Sequence, residues 1–230
     1  MPTTNQQRWS SLGMSTIAFT VNIAVWTLFS IIGIGIKEEL GLSDTQFGML
    51  VATPILSGAL CRLPFGLLTE RFGGRIMFLL QMLFVAIPTY ALSFATEFWH
   101  YLALGLFIGL AGGSFAIGIT YCSAWFEAKD QGMAMGIFGA GTIGIAITNL
   151  VSPLIILNYG LNAIAHIYAT ALIVMAVIFW IFSYTDPKHK ERTQTNEYRS
   201  LYDQLQPLKH SRVWRFGLYY FFVFGGFLAL

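Results

Sequence analysis

The sequence predicts an all-α, polytopic membrane protein, and three observations carry that expectation. Hydrophobic residues make up 56% of the 230-residue chain and charged residues only 10%, against roughly 25% charge in soluble domains. So little charge cannot cover a surface against water, so lipid must. The apolar residues also fall in runs of about twenty, the number a helix rising 1.5 Å per residue needs to cross about 30 Å of hydrocarbon. Finally, the basic residues gather on one side of the resulting map.

Taken in order, the runs place spans at roughly 13–36, 45–68, 76–95, 98–121, 132–157 and 163–184. The first is too long for the apolar core of a cleavable leader and reads as a spanning helix. Trp9, Trp99, Trp125 and Trp214 fall near span ends, where interfacial anchors belong. Residues 185–212 are hydrophilic and read as a solvated basic linker, helical in part around Tyr198–Leu205. From residue 213 a seventh apolar run begins and is still apolar at residue 230, so the natural chain is expected to continue. The domain plan is therefore a six-helix bundle over 1–184, a linker over 185–212 and the start of a seventh span over 213–230.

Arg8, Arg71, Arg75, Lys129 and the Lys/Arg run from Lys188 to Arg215 lie on one side of this map, and Lys37 on the other beside Glu38, Glu39 and Asp44. The positive-inside rule makes the basic side cytoplasmic, the amino terminus with it, in a multi-pass protein of the cell inner membrane. Six spans, a basic linker and a new span amount to the first half of a twelve-helix layout. Transporters of that layout pair two six-helix halves, each built from inverted three-helix repeats.

Chemistry is sparse. Cys61 and Cys122 have no disulfide or metal spacing and read as packing residues. No nucleotide-binding loop, nucleophile elbow or metal cluster is present, so no enzyme and no cofactor is expected. A net charge of +2 gives no reason to expect nucleic acid.

Arg62 is the most informative residue. It precedes Arg71, at the cytoplasmic edge, by nine residues and so lies about 13 Å deep. An arginine there costs at least about 2.5–3.5 kcal/mol. Every Asp and Glu lies at a loop or span end, which makes an anionic substrate the natural partner, and the planar guanidinium fork suits planar oxyanions. A structural arginine, bonded to carbonyls or to an acid outside this chain, is the other reading. Glycine stripes mark the fourth span (Gly105, Gly109, Gly112, Gly113) and the fifth (Gly132, Gly136, Gly139, Gly141, Gly144). They allow close helix approach, or exposed backbone for a small ligand. Phe115 stands among them as one wall of a narrow slot or as core packing. Asn22, Thr142 and Asn149 are polar residues inside spans, able to bond a substrate or a neighbouring helix, and His166 is a lone proton-relay candidate.

Gly66-Leu-Leu-Thr-Glu-Arg-Phe-Gly-Gly-Arg75 resembles the loop 2–3 motif of the major facilitator superfamily, with Glu70 in place of the usual Asp and one extra glycine position. An acid and two arginines at helix ends, with Gly66, Glu70, Arg71 and Arg75 as its members, suit a conformational latch. Ala52-Thr-Pro-Ile-Leu-Ser-Gly-Ala-Leu-Cys-Arg62-Leu-Pro and Ala134-Met-Gly-Ile-Phe-Gly-Ala-Gly-Thr-Ile-Gly144 resemble the second helix and the glycine-rich fifth-helix signature of bacterial nitrate/nitrite porters. The resemblance implies that Arg62 binds the anion together with an eighth-helix arginine. It also implies that Phe115 packs on the flat anion and that Tyr220 is a polar contact. The resemblance departs at Thr142, where the family signature carries asparagine. It implies alternating-access transport of nitrate or nitrite, by exchange or with protons, in a monomer surrounded by lipid. A same-fold porter of oxalate, formate or another small carboxylate, and a membrane anion sensor that moves nothing, are the alternatives.

Overall fold

A computed structural model of the chain describes residues 5–195, 204 and 206–229. Among the described residues the regular structure is entirely helical, and six helices are long and apolar enough to cross a membrane. They are α1 (Asn5–Leu40), α2 (Asp44–Phe72), α3 (Gly74–Phe94), α4 (Phe98–Trp125), α5 (Gln131–Tyr159) and α6 (Leu161–Phe182). The chain forms two compact units, Met1–Glu191 and Arg192–Leu230. The first holds the six spans and most of a short helix, α7 (Pro187–Thr195). The second contains α8 (Ser211–Ala229). The helix expected around Tyr198–Leu205 falls almost entirely outside the described residues.

Local chemistry sets the boundaries. Ser43 and Gln46 form a reciprocal capping box that starts α2: the Gln46 N–H donates to Ser43 Oγ and the Ser43 N–H to Gln46 Oε1. Gly41, Gly73 and Gly160 take positive φ, where a side chain would be strained, and so turn the chain between spans. α1 is longer than the run of 13–36 suggests, because the polar residues from Asn5 and the charged turn Lys37–Leu40 continue the helix past the apolar window. It breaks at Thr27–Leu28, where the Thr27 hydroxyl donates to the Ile23 carbonyl at 2.9 Å. Such back-bonding bends helices without proline.

The packing follows an exchange of the first three spans with the second three. α2 packs on α4 as α5 packs on α1, α1 meets α6 as α4 meets α3, and α3 packs on its own mate α6, while the α2–α4 seam is the most extensive contact. That pattern is an inverted three-helix repeat. The least buried spans are repeat mates, α2 and α5. Only 22% and 28% of their most apolar stretch is buried, against 44–61% for the other four.

Glycine lets the inner helices approach. A Cβ at Gly109 would meet Ser57 Oγ and lie 2.5 Å from the Pro54 carbonyl. One at Gly112 would lie 2.9 Å from the Trp26 ring, and one at Gly113 would meet the Phe65 ring. α2 and α4 thus touch almost backbone to backbone, as small residues permit in lipid. A buried polar cluster ties the other side: the Thr148 hydroxyl donates to Ala24 O (2.9 Å), and the Tyr168 hydroxyl lies 2.9 Å from Thr148 Oγ1 and 2.7 Å from Ser152 Oγ.

Gly109→Val is expected to cost roughly 1–3 kcal/mol or more through overpacking and to lower folded yield and melting temperature in detergent. Gly132→Val, with nothing within 4 Å of its added Cβ, is expected to leave both unchanged.

Candidate functional site

Arg62 lies ten residues before Phe72, the last residue of α2, and so about 15 Å inside the basic end of the bundle. Its side chain is half-buried. Its guanidinium carbon lies 5.8 Å from the centroid of the Trp26 ring and 5.4 Å from that of Phe115. The cation thus stands by two aromatic faces from two different helices. Each such contact contributes about 0.5–2 kcal/mol, more when desolvated. Together they match the insertion cost of an arginine at this depth, about 2.5–3.5 kcal/mol.

Both rings are fixed from behind. The Trp26 indole donates through Nε1 to the Pro54 carbonyl at 2.8 Å, and its ring fills the space that Gly58 and Gly112 leave. Phe115 belongs to an aromatic cluster, 5.7 Å from Phe19 and 6.1 Å from Phe138, which stack on each other at 4.8 Å. α1, α4 and α5 therefore meet around one ring. Cys61, the neighbour of Arg62, points its thiol to the Gly58 carbonyl at 3.2 Å.

The fifth-span glycines divide into two sets. Gly141 and Gly144 face α1: a Cβ at Gly141 would lie 2.6 Å from the Phe19 ring, and one at Gly144 would meet the Thr20 carbonyl. Gly139 has open space, and the exposed Thr142 hydroxyl donates to its carbonyl at 2.9 Å. Asn22 is fully buried. Its Nδ2 donates to Ala18 O and its Oδ1 accepts from Gln81 Nε2, both at 2.8 Å. Asn149 and His166 are exposed, and His166 lies 4.9 Å from the Tyr90 ring. Tyr220 belongs to α8, in the second unit.

At the basic end, Arg75 lies 4.2 Å from the Trp180 ring and donates through Nη2 to the Trp180 carbonyl at 2.5 Å, joining α3 to α6. Arg71 is exposed and lies 5.6 Å from the Phe72 ring. Glu70 is half-buried in the last turn of α2, and Gly66 has open space. Arg8 pairs with Asp130 at 3.4 Å and covers the Phe126 ring at 4.2 Å, holding the start of α1 to the turn before α5.

Sequence reasoning passed over Trp26 and Gln81. Gln81 could have been found by the logic applied to Asn22, a lone amide in an apolar run. Trp26 could have been found from its position one helical turn beyond Asn22. Among the described residues, no group of three His, Cys, Asp or Glu is placed to hold a metal.

Residues 14–230 match the family model described as Major Facilitator Superfamily. The chain is 39% identical to the Probable nitrate/nitrite antiporter NarK1 of Thermus thermophilus, over 95% of this chain and 51% of that protein. It is 30% identical to the Nitrite extrusion protein of Bacillus subtilis (95% and 54%) and 32% identical to the Probable nitrate/nitrite transporter NarK2 of Mycobacterium tuberculosis (96% and 55%). The chain spans about half the length of the curated relatives it matches. A family match over nearly its whole length, on six spans packed as inverted repeats, means that the chain belongs to the major facilitator superfamily.

Proposed function

We propose that this chain supplies one half of an alternating-access porter for nitrate or nitrite in the cytoplasmic membrane, with Arg62 as the anion-binding residue. One observation carries the reading: a guanidinium at mid-span depth stands beside the faces of Trp26 and Phe115, in a chain whose relatives are named for nitrate and nitrite. The two rings orient the planar fork so that it meets a planar anion edge-on through parallel N–H donors, while an aromatic wall excludes bulkier, tetrahedral anions.

The open faces of α2 and α5 receive the second half of the porter. The half-buried Gly139 and the exposed Thr142 lie toward that half, and Gly141 and Gly144 set the closeness of α5 to α1. The basic end faces the cytoplasm, as the positive-inside rule requires, so the amino terminus and the linker are cytoplasmic. The latch residues act there, with Arg75 on the Trp180 carbonyl holding α3 and α6 together through the cycle and Gly66, Glu70 and Arg71 engaging the opposing half. An arginine in each half would repel when the site is empty and closed, and a bound monoanion relieves that repulsion, so only the loaded porter rocks. The carboxylates of this half sit at span ends, which favours exchange of one anion for another over proton coupling.

In the full-length protein reconstituted into liposomes, Arg62→Gln is expected to abolish counterflow of nitrate and nitrite. Arg62→Lys is expected to lower it at least about tenfold, because a point charge lacks the planar fork. Both variants are expected to fold. Wild-type counterflow in Arg62→Gln would remove Arg62 from the site.

Phe115→Ala removes one of two rings and is expected to raise the KM for nitrate by roughly five- to thirtyfold, the range of about 1–2 kcal/mol, with a smaller change in maximal rate. An unchanged KM would show that the ring is packing alone.

A further inference from the structure

α4 is not uniformly wound. It is α-helical over Phe98–Ile108 and again over Ser114–Trp125, but the five residues Gly109–Gly113 between them form a 3₁₀ turn, closed by the Ser114 N–H on the Ala111 carbonyl. A 3₁₀ helix advances about 120° and 2.0 Å per residue, an α-helix about 100° and 1.5 Å. Over five residues the tighter winding turns everything beyond it by roughly 100° and shifts it by about 2.5 Å. Phe115 is the second residue beyond the turn. Its place beside Arg62 therefore depends on this winding.

Two sides hold the turn. On the α2 side, Gly109, Gly112 and Gly113 are pressed against Pro54, Ser57, Gly58, Cys61 and Phe65. On the α3 side stands Gln81, 3% exposed. Its amide nitrogen donates to Asn22 Oδ1 at 2.8 Å and to the Leu110 carbonyl, within the turn, at 3.4 Å. The Cys61 thiol approaches the same carbonyl at 3.9 Å. Both hydrogens of one nitrogen are thus used, one anchored on α1 and one on the 3₁₀ turn. The Gln81 Oε1 is buried with no hydrogen-bond partner among the described residues. A buried acceptor left open costs stability, which offsets part of what the two donated bonds contribute.

We propose that Gln81, anchored by Asn22, is a positioning residue for anion recognition: it fixes the 3₁₀ winding of α4 and thereby holds Phe115 beside Arg62. The inference rests on the reading of Arg62 and Phe115 as the anion site. It recasts Asn22 as the anchor of that clamp.

The test is a mutant cycle in the full-length protein in proteoliposomes, with nitrate counterflow and melting temperature measured on each variant. Gln81→Met is expected to raise the KM for nitrate about tenfold, with maximal rate changed less than twofold, and to lower the melting temperature somewhat, because the buried Asn22 Oδ1 loses its donor. Gln81→Asn, which keeps the amide but draws its nitrogen back from Leu110, is expected to raise KM less and serves where the methionine variant fails to fold. Adding Gln81→Met to Phe115→Ala is expected to change nothing further, because the clamp acts through that ring. A fall in melting temperature with unchanged KM, or an additive effect in the double variant, would overturn the proposal. If Arg62→Gln transports normally, the anion-site reading itself fails. If it does not and Gln81→Met leaves KM unchanged, only the clamp fails.

Discussion

The charge on Arg62 must be held about 15 Å inside an apolar bundle, and most of the architecture around it answers to that need. Water is the cheapest partner for a guanidinium, and lipid offers none. The rings of Trp26 and Phe115 supply an attraction of the same order as the insertion cost. In the proposed porter the fold is stable with the site empty, and the anion's binding energy goes into closing the two halves rather than into rescuing a buried charge.

Holding two rings beside one cation makes demands of its own. Trp26 and Phe115 come from α1 and α4, repeat mates that both pack on α2, and α2 and α4 approach at glycine contact distance. The indole is pinned to the carbonyl of Pro54, and the phenyl ring is backed by Phe19 and Phe138. The glycines of α4 and α5 are thus explained largely by packing. Gly109, Gly112 and Gly113 admit α2, Gly141 and Gly144 admit α1, and Gly139 keeps an open face.

Much of this was legible in the sequence. Five of the six spans lie within a few residues of their apolar runs, and the depth of Arg62 follows from counting back to the helix end. α1 outran its window because a hydropathy run reports where lipid is tolerated, whereas a helix continues until something stops it, here Gly41 at positive φ. Phe115 is visible as an aromatic among small residues, but its nearness to Arg62 depends on the register of α4 against α2, which one chain's periodicity does not carry. The 3₁₀ turn at Gly109–Gly113 is equally invisible, since glycine accepts either winding and the neighbours decide. Gln81 was overlooked because one amide barely changes the mean of an apolar run, although burial makes that amide a crossing point of α1, α3 and α4.

The central claim, that the guanidinium of Arg62 is the group that grips the anion, is tested most directly by a distance. Solid-state NMR dipolar recoupling between ¹⁵N-nitrate and ¹³Cζ-labelled arginine, with the full-length protein in lipid and Arg62→Lys as the assignment control, measures it. The account predicts a contact of about 4 Å, the spacing of a bidentate guanidinium–oxyanion pair, that disappears in Arg62→Lys. A contact of the same strength in both proteins, or none in the wild type under saturating nitrate, would contradict it.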